Sequence, residues 1–150
     1  GGIGSGDVNN RKNISVYQGL KEAGVKIVSE NWINDYHSRY EQAREVWKKK
    51  VLKEARKVDN HLMPMQRILL QCRRERKVTE EDICVADVVI YVVSRISGEG
   101  KDRRKVKGDY YLSEREEEDL RYLAERNKPV ILILNAGGPV ELTDILEQDR

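Results

Sequence analysis

The most chemically loaded stretch of this sequence sets a glutamate between two glycines: Ser97-Gly98-Glu99-Gly100-Lys101-Asp102-Arg103. Flanking glycines let the backbone bend sharply and present the carboxylate to a neighbouring surface. A general acid or base needs that, and a solvated surface loop allows it as well. Asp102 and Arg103 carry opposite charges side by side, so they can pair with each other and shape the loop. A second Gly-rich stretch, Gly2-Ile3-Gly4-Ser5-Gly6-Asp7, offers the Ser5 hydroxyl for hydrogen bonding, or merely a polar turn. As a phosphate loop it fails on context. No strand precedes it, no helix starts at its last glycine, and Asp7 puts negative charge where phosphate would approach.

The elements that must position these residues follow from hydrophobic spacing. Gly1 to Asn10 has no periodicity. Ile14, Val16, Tyr17, Leu20 and Ala23 fall at helical spacing, Gly24 stops that helix, and the compact run Val25 to Val28 predicts a strand. From Asn31 to Asp59, Ile33, Tyr36, Tyr40, Ala43, Trp47, Val51, Ala55 and Val58 recur every three or four residues, which predicts one long amphipathic helix. Its basic run Lys48 to Lys50, and a second at Arg73, Arg74, Arg76 and Lys77, are interspersed with acids and read as solvated faces. Thr79-Glu80-Glu81-Asp82 signals a helix start.

Ala86 to Val93 is apolar at consecutive positions, as suits a central strand of a parallel sheet buried on both faces. A Gly- and charge-rich loop from Ser94 to Tyr111 follows. Ser113 then caps a helix bearing Leu120, Leu123 and Ala124, Asn127-Lys128-Pro129 closes it, and Val130 to Leu134 forms another apolar strand. Gly137-Gly138-Pro139 turns the chain into a last helix from Leu142. Alternating helices and strands predict an α/β fold, an open and mostly parallel sheet with helices on both faces. Ligands of such sheets gather beyond the carboxyl ends of the strands, where the loops Ser94 to Tyr111 and Asn135 to Pro139 lie.

Composition narrows the field further. At 150 residues the chain has room for one domain. Lys plus Arg number 28 against 26 Asp plus Glu, which creates no global field to draw nucleic acid or an anionic membrane. No apolar run approaches the length of a membrane span. Cys72 and Cys84 lack a CxxC partner or a His at ligand spacing, so neither a disulfide framework nor a zinc site is expected; they fit a reducing, cytoplasmic setting. The first residue is Gly and the last residues read as a helix still in progress, so the chain is expected to be an excerpt of a longer protein.

Four stretches, in this order, resemble the second, α/β domain of glycoside hydrolase family 3 enzymes of the β-glucosidase type. They are Gly4-Ser5-Gly6-Asp7-Val8-Asn9; Ala86-Asp87-Val88-Val89-Ile90-Tyr91-Val92-Val93; Ser97-Gly98-Glu99-Gly100 through Asp102-Arg103 to Gly108-Asp109-Tyr110-Tyr111-Leu112-Ser113; and Asn127-Lys128-Pro129-Val130 to Asn135-Ala136-Gly137-Gly138-Pro139-Val140-Glu141-Leu142. The region from about 31 to 77 carries no such motif. The resemblance implies hydrolysis of terminal β-glycosidic bonds with retention, at the junction with a barrel domain that this chain does not contain. It implies that Glu99 is the acid/base group and that the nucleophile is an Asp of the barrel. Ser5 would hydrogen-bond the sugar at the cleavage point, while Asp102 and Arg103, with Asp109, would brace the acid loop. The implied partners are a β-linked oligosaccharide or an aryl or alkyl β-glycoside and the barrel of the same enzyme; no cofactor or metal is implied. The competing reading is a non-catalytic interaction domain that binds through its long basic amphipathic helix.

Overall fold

A computed structural model describes residues 14–55, 76–95 and 103–147. The chain divides into two compact units, one of residues 1–28 with 83–150 and one of residues 29–82.

In the first unit, helix α1 (Val16–Glu22) is capped by Ser15, whose hydroxyl accepts from the Gln18 amide at 3.1 Å. It ends in a Schellman turn: Gly24 takes φ 81°, its N–H bonds Lys21 O, and the Val25 N–H reaches back to Leu20 O. That last bond explains a departure from expectation. Residues 25–28 form no strand, because the Val25 amide is spent on closing the helix and Val25 is left exposed without a ladder to join.

Strands β1 (Val89–Arg95) and β2 (Val130–Ala136) pair in parallel from Val89↔Val130 to Arg95↔Ala136. Both run past their predicted ends, β1 by Ser94 and Arg95. Between them lies helix α4 (Glu114–Ala124), preceded in the chain by the helical turn α3 (Glu80–Ile83) and followed by α5 (Thr143–Leu146). Ser113 caps α4 reciprocally: its hydroxyl accepts from the Glu116 amide at 3.2 Å and the Glu116 carboxylate accepts from the Ser113 amide at 2.8 Å. Asn127, at φ 51°, turns the chain out of this helix toward β2.

One face of the sheet carries the core. Val93 packs with Leu112 and Leu120, and Tyr91, Val130, Leu132, Val140, Leu142 and Ile145 surround them. Val93 and Leu123 are fully buried, each contributing about 1.5–3 kcal/mol. Lys128 ties the start of this layer to the chain before β1, its ammonium donating to Cys84 O at 3.0 Å and Ala86 O at 2.8 Å. The architecture is the expected α/β class with a parallel sheet, two-stranded among the described residues.

The second unit holds the long helix α2 (Glu30–Ala55). Ile33, Tyr40, Ala43 and Trp47 are half-buried along the expected stripe, while Tyr36 is exposed and stacks on Trp32 with ring centroids 5.5 Å apart. Asp82 is buried; it accepts from both the amide and the hydroxyl of Thr79 and pairs with Arg76 at 3.0 Å. Thr79 therefore acts as donor at this helix start. No described helix is long and apolar enough to cross a membrane.

Candidate functional site

The carboxyl ends of β1 and β2, at Arg95 and Ala136, lie side by side and point the same way. Tyr111, on the return side of the first loop, forms a parallel bridge to Glu141 beyond β2, and the Glu141 amide donates to Tyr110 O at 2.8 Å. The return side of the first loop is thus joined through backbone to the chain just past the second.

Glu99, Ser5 and Asp102 lie outside the described residues. Arg103 is described. Its Nη1 donates to Asp109 Oδ1 at 3.3 Å and Asp109 O at 3.5 Å, while the Arg104 amide donates to the other oxygen of Asp109 at 3.1 Å. The rest of the Arg103 guanidinium lies against Gly138. A Cβ built there would stand 3.1 Å from Arg103 Nε, so glycine permits the approach of the two loops. Among the described residues, Nε and Nη2 of Arg103 are buried without a hydrogen-bond partner.

Arg95 has the opposite account. It is the last residue of β1, it is buried, and each of its five N–H donors meets an acceptor. Nη1 donates to Glu116 Oε1 at 2.7 Å and Ser94 O at 3.0 Å, and Nη2 to Glu116 Oε2 at 2.6 Å and Tyr111 O at 3.4 Å. Nε donates to Asp109 O at 3.0 Å. Burial pushes the Glu116 carboxyl up, but the hydrogen bonds from Arg95 and Ser113 outweigh it and hold the group below the usual carboxylate value. Sequence reading passed over both residues. The signals were present: Arg95 shares a sheet face with the core residue Val93, and Glu116 stands three residues after a helix-capping serine.

Around the bridge, Glu141 accepts from the Thr143 amide at 2.9 Å, from the Thr143 hydroxyl, and from the Tyr110 hydroxyl at 3.3 Å. The Thr143 contacts come first in holding the Glu141 carboxyl below its usual value, and the Glu141 charge holds the Tyr110 phenol above its own. Glu117 and Asp144 line the small depression beside them, and the Lys107 ammonium bonds Glu117 at 2.9 Å. Among the described residues no three His, Cys, Asp or Glu side chains converge in a way that could hold a metal ion. Cys84 is exposed and not in a disulfide, and Cys72 lies outside the described residues.

What this geometry provides is a firm base at the carboxyl edge of a parallel sheet, made by Arg95 and the chain from Asp109 to Tyr111. Comparison with known proteins gives that base a lineage. No curated protein sequence matches the chain. Solved structures of β-glucosidase 3B from Thermotoga neapolitana do. The complex with α-D-glucose superposes with a TM-score of 0.59 at 32% identity over 98% of this chain. The complexes with glycerol and with glucose superpose with a TM-score of 0.60, each at the same identity and coverage. This chain spans only about a fifth of those proteins, 20% of the α-D-glucose complex and 19% of the glycerol complex. The model of the glycosyl hydrolase family 3 C-terminal domain matches residues 1–150, and the chain belongs to that family.

Proposed function

We propose that this chain is part of the second domain of a retaining β-glycosidase, acting on terminal β-glucosidic bonds, and that Glu99 is its acid/base group. The observation that carries the reading is the pair of described stems, Arg95 on one side and Asp109 to Tyr111 on the other, between which Glu99 stands in the sequence. Glu99 follows closely in sequence on Arg95, the last residue of a parallel strand, and the returning chain at Tyr111 is bridged to Glu141 past β2. The solved relatives are β-glucosidases holding glucose or glycerol, which supports a sugar as the ligand.

In a retaining mechanism two carboxyl groups stand about 5–5.5 Å apart. A nucleophilic Asp, supplied by a barrel domain outside this chain, attacks the anomeric carbon and the glycosidic C–O bond breaks. Glu99 gives its proton to the departing oxygen. In the second step Glu99 takes a proton from water as that water attacks the glycosyl–Asp ester, releasing the sugar with its configuration retained. For the first step Glu99 must carry its proton, and for the second it must be free to take one. Ser5 hydrogen-bonds the sugar at the cleavage point, and Arg103 with Asp109 and Asp102 supports the acid loop.

The test is hydrolysis of aryl β-glucosides by the full-length protein that carries this chain. Glu99→Ala is expected to lose about 10²–10⁴-fold on substrates with poor leaving groups. Azide should restore turnover of an activated substrate by forming a glucosyl azide. Wild-type hydrolysis by the variant would refute the assignment. It would also leave the competing interaction-domain reading, to which Glu99 is irrelevant, standing.

A further inference from the structure

The buried pair Arg95–Glu116 does something that its contribution to stability does not explain. Its side chains are only 2% and 12% exposed, and taking two charges out of water carries a desolvation cost that their attraction must first offset. Two apolar residues of similar volume would hold α4 to the sheet as well or better. They would not make directional bonds to backbone. Arg95 makes three of those. One goes to Ser94 O, on the chain about to leave the sheet, and two go to Asp109 O and Tyr111 O, on the chain returning to it. One guanidinium therefore fixes both stems of the loop between residues 95 and 109. Glu116 fixes the guanidinium in turn, gripping it with both oxygens while its own place is set by the Ser113 amide.

We infer that Arg95, held by Glu116, is a positioning residue for the acid/base step: it fixes the two stems between which Glu99 stands in the sequence, and proton transfer to the leaving oxygen depends on it. The inference rests on the reading of Glu99 given above. Lysine cannot replace the arginine, since an ammonium lacks the planar fork that serves two carboxylate oxygens and three carbonyls at once.

The measurement is kcat/KM of the full-length protein across aryl β-glucosides of graded leaving-group acidity, from 2,4-dinitrophenyl to phenyl. Departure of 2,4-dinitrophenolate needs no proton, whereas phenolate departure does, so misplacing the acid steepens the dependence; loss of folded protein lowers every substrate equally. Arg95→Lys is expected to fall about tenfold or more on the phenyl glucoside and to stay within about twofold on the dinitrophenyl one. The double variant Arg95→Met with Glu116→Met removes the buried charges together, guarding against simple misfolding. It should melt near the wild-type temperature and show the same steepened dependence. Glu99→Ala run alongside separates the two ideas. A steep dependence for Glu99→Ala with a wild-type dependence for both Arg95 variants overturns this inference alone. A flat dependence for Glu99→Ala overturns the acid/base reading and this inference with it.

Discussion

The long helix of residues 30–55 and the sheet unit use the same kinds of charged side chain to opposite ends. On α2, Arg39 meets Asp35 at 2.8 Å and Lys48 meets Glu45 at 2.5 Å, one helical turn apart, with about half of each side chain in water. In the sheet unit, Arg95 and Glu116 stand 21 residues apart in sequence and meet out of solvent. Pairs of the first kind are nearly interchangeable, because water and salt screen them and long side chains lose entropy to form them. A pair of the second kind is not, because removing either partner strands a charge in the interior. With charged residues at 36% of the chain, abundance says little about which ones matter; sequence separation and burial say more.

The sharpest way to break this contrast is Glu116→Ala, expected to destabilise the sheet unit by about 3–5 kcal/mol in chemical denaturation. A loss below about 1 kcal/mol would place the pair among the surface kind. The pH dependence probes the same group without leaving a bare cation. The Glu116 carboxyl is held below its ordinary value of 4.5, so its contribution is present above that value and lost as pH falls through the lower folded one. The wild-type protein should therefore lose stability in that acid range, and Glu116→Gln should lack that part of the loss. Ser113→Ala removes half of the reciprocal cap on α4 while leaving the ion pair, for a cost of about 1 kcal/mol by thermal melting. Smallest of all, Arg39→Ala on α2 should change stability by no more than about 0.5 kcal/mol, measured the same way.

Much of the fold was legible because its local signals agree with its tertiary ones. Ser113 as a cap, Gly24 at positive φ, and the apolar runs of β1 and β2 each mark an element without help from the rest of the chain. The strand expected at 25–28 failed because propensity alone was asked to make a strand: a β-branched run needs a neighbour, and the Schellman turn had already claimed its first amide. Arg95 and Glu116 were passed over for a related reason. An arginine after an apolar run reads as the end of a strand, and a glutamate in the first turn reads as a dipole partner. Only pairing across 21 residues gives both their meaning. The contact of Arg103 with Gly138 was equally out of reach, since nothing in a Gly-Gly-Pro turn names the side chain that crosses it.

The parallel ladder has apolar side chains on both of its faces. Tyr91, Val93 and Leu132 look toward the core, while Ile90, Val92, Ile131 and Ile133 occupy the alternate positions. Sliding β1 by one residue would exchange its own two sets, Tyr91 and Val93 for Ile90 and Val92, and hydrophobicity would scarcely notice, because each set suits either face. The polar ends would notice. The Tyr91 hydroxyl would lose Asp119, and the Arg95 guanidinium would swing away from Glu116, Asp109 and Tyr111, leaving a buried carboxylate without its cation. A sheet that cannot tell its own two sides apart by oil and water is told by its polar groups, Arg95 foremost, which answer one another in this threading of the strand.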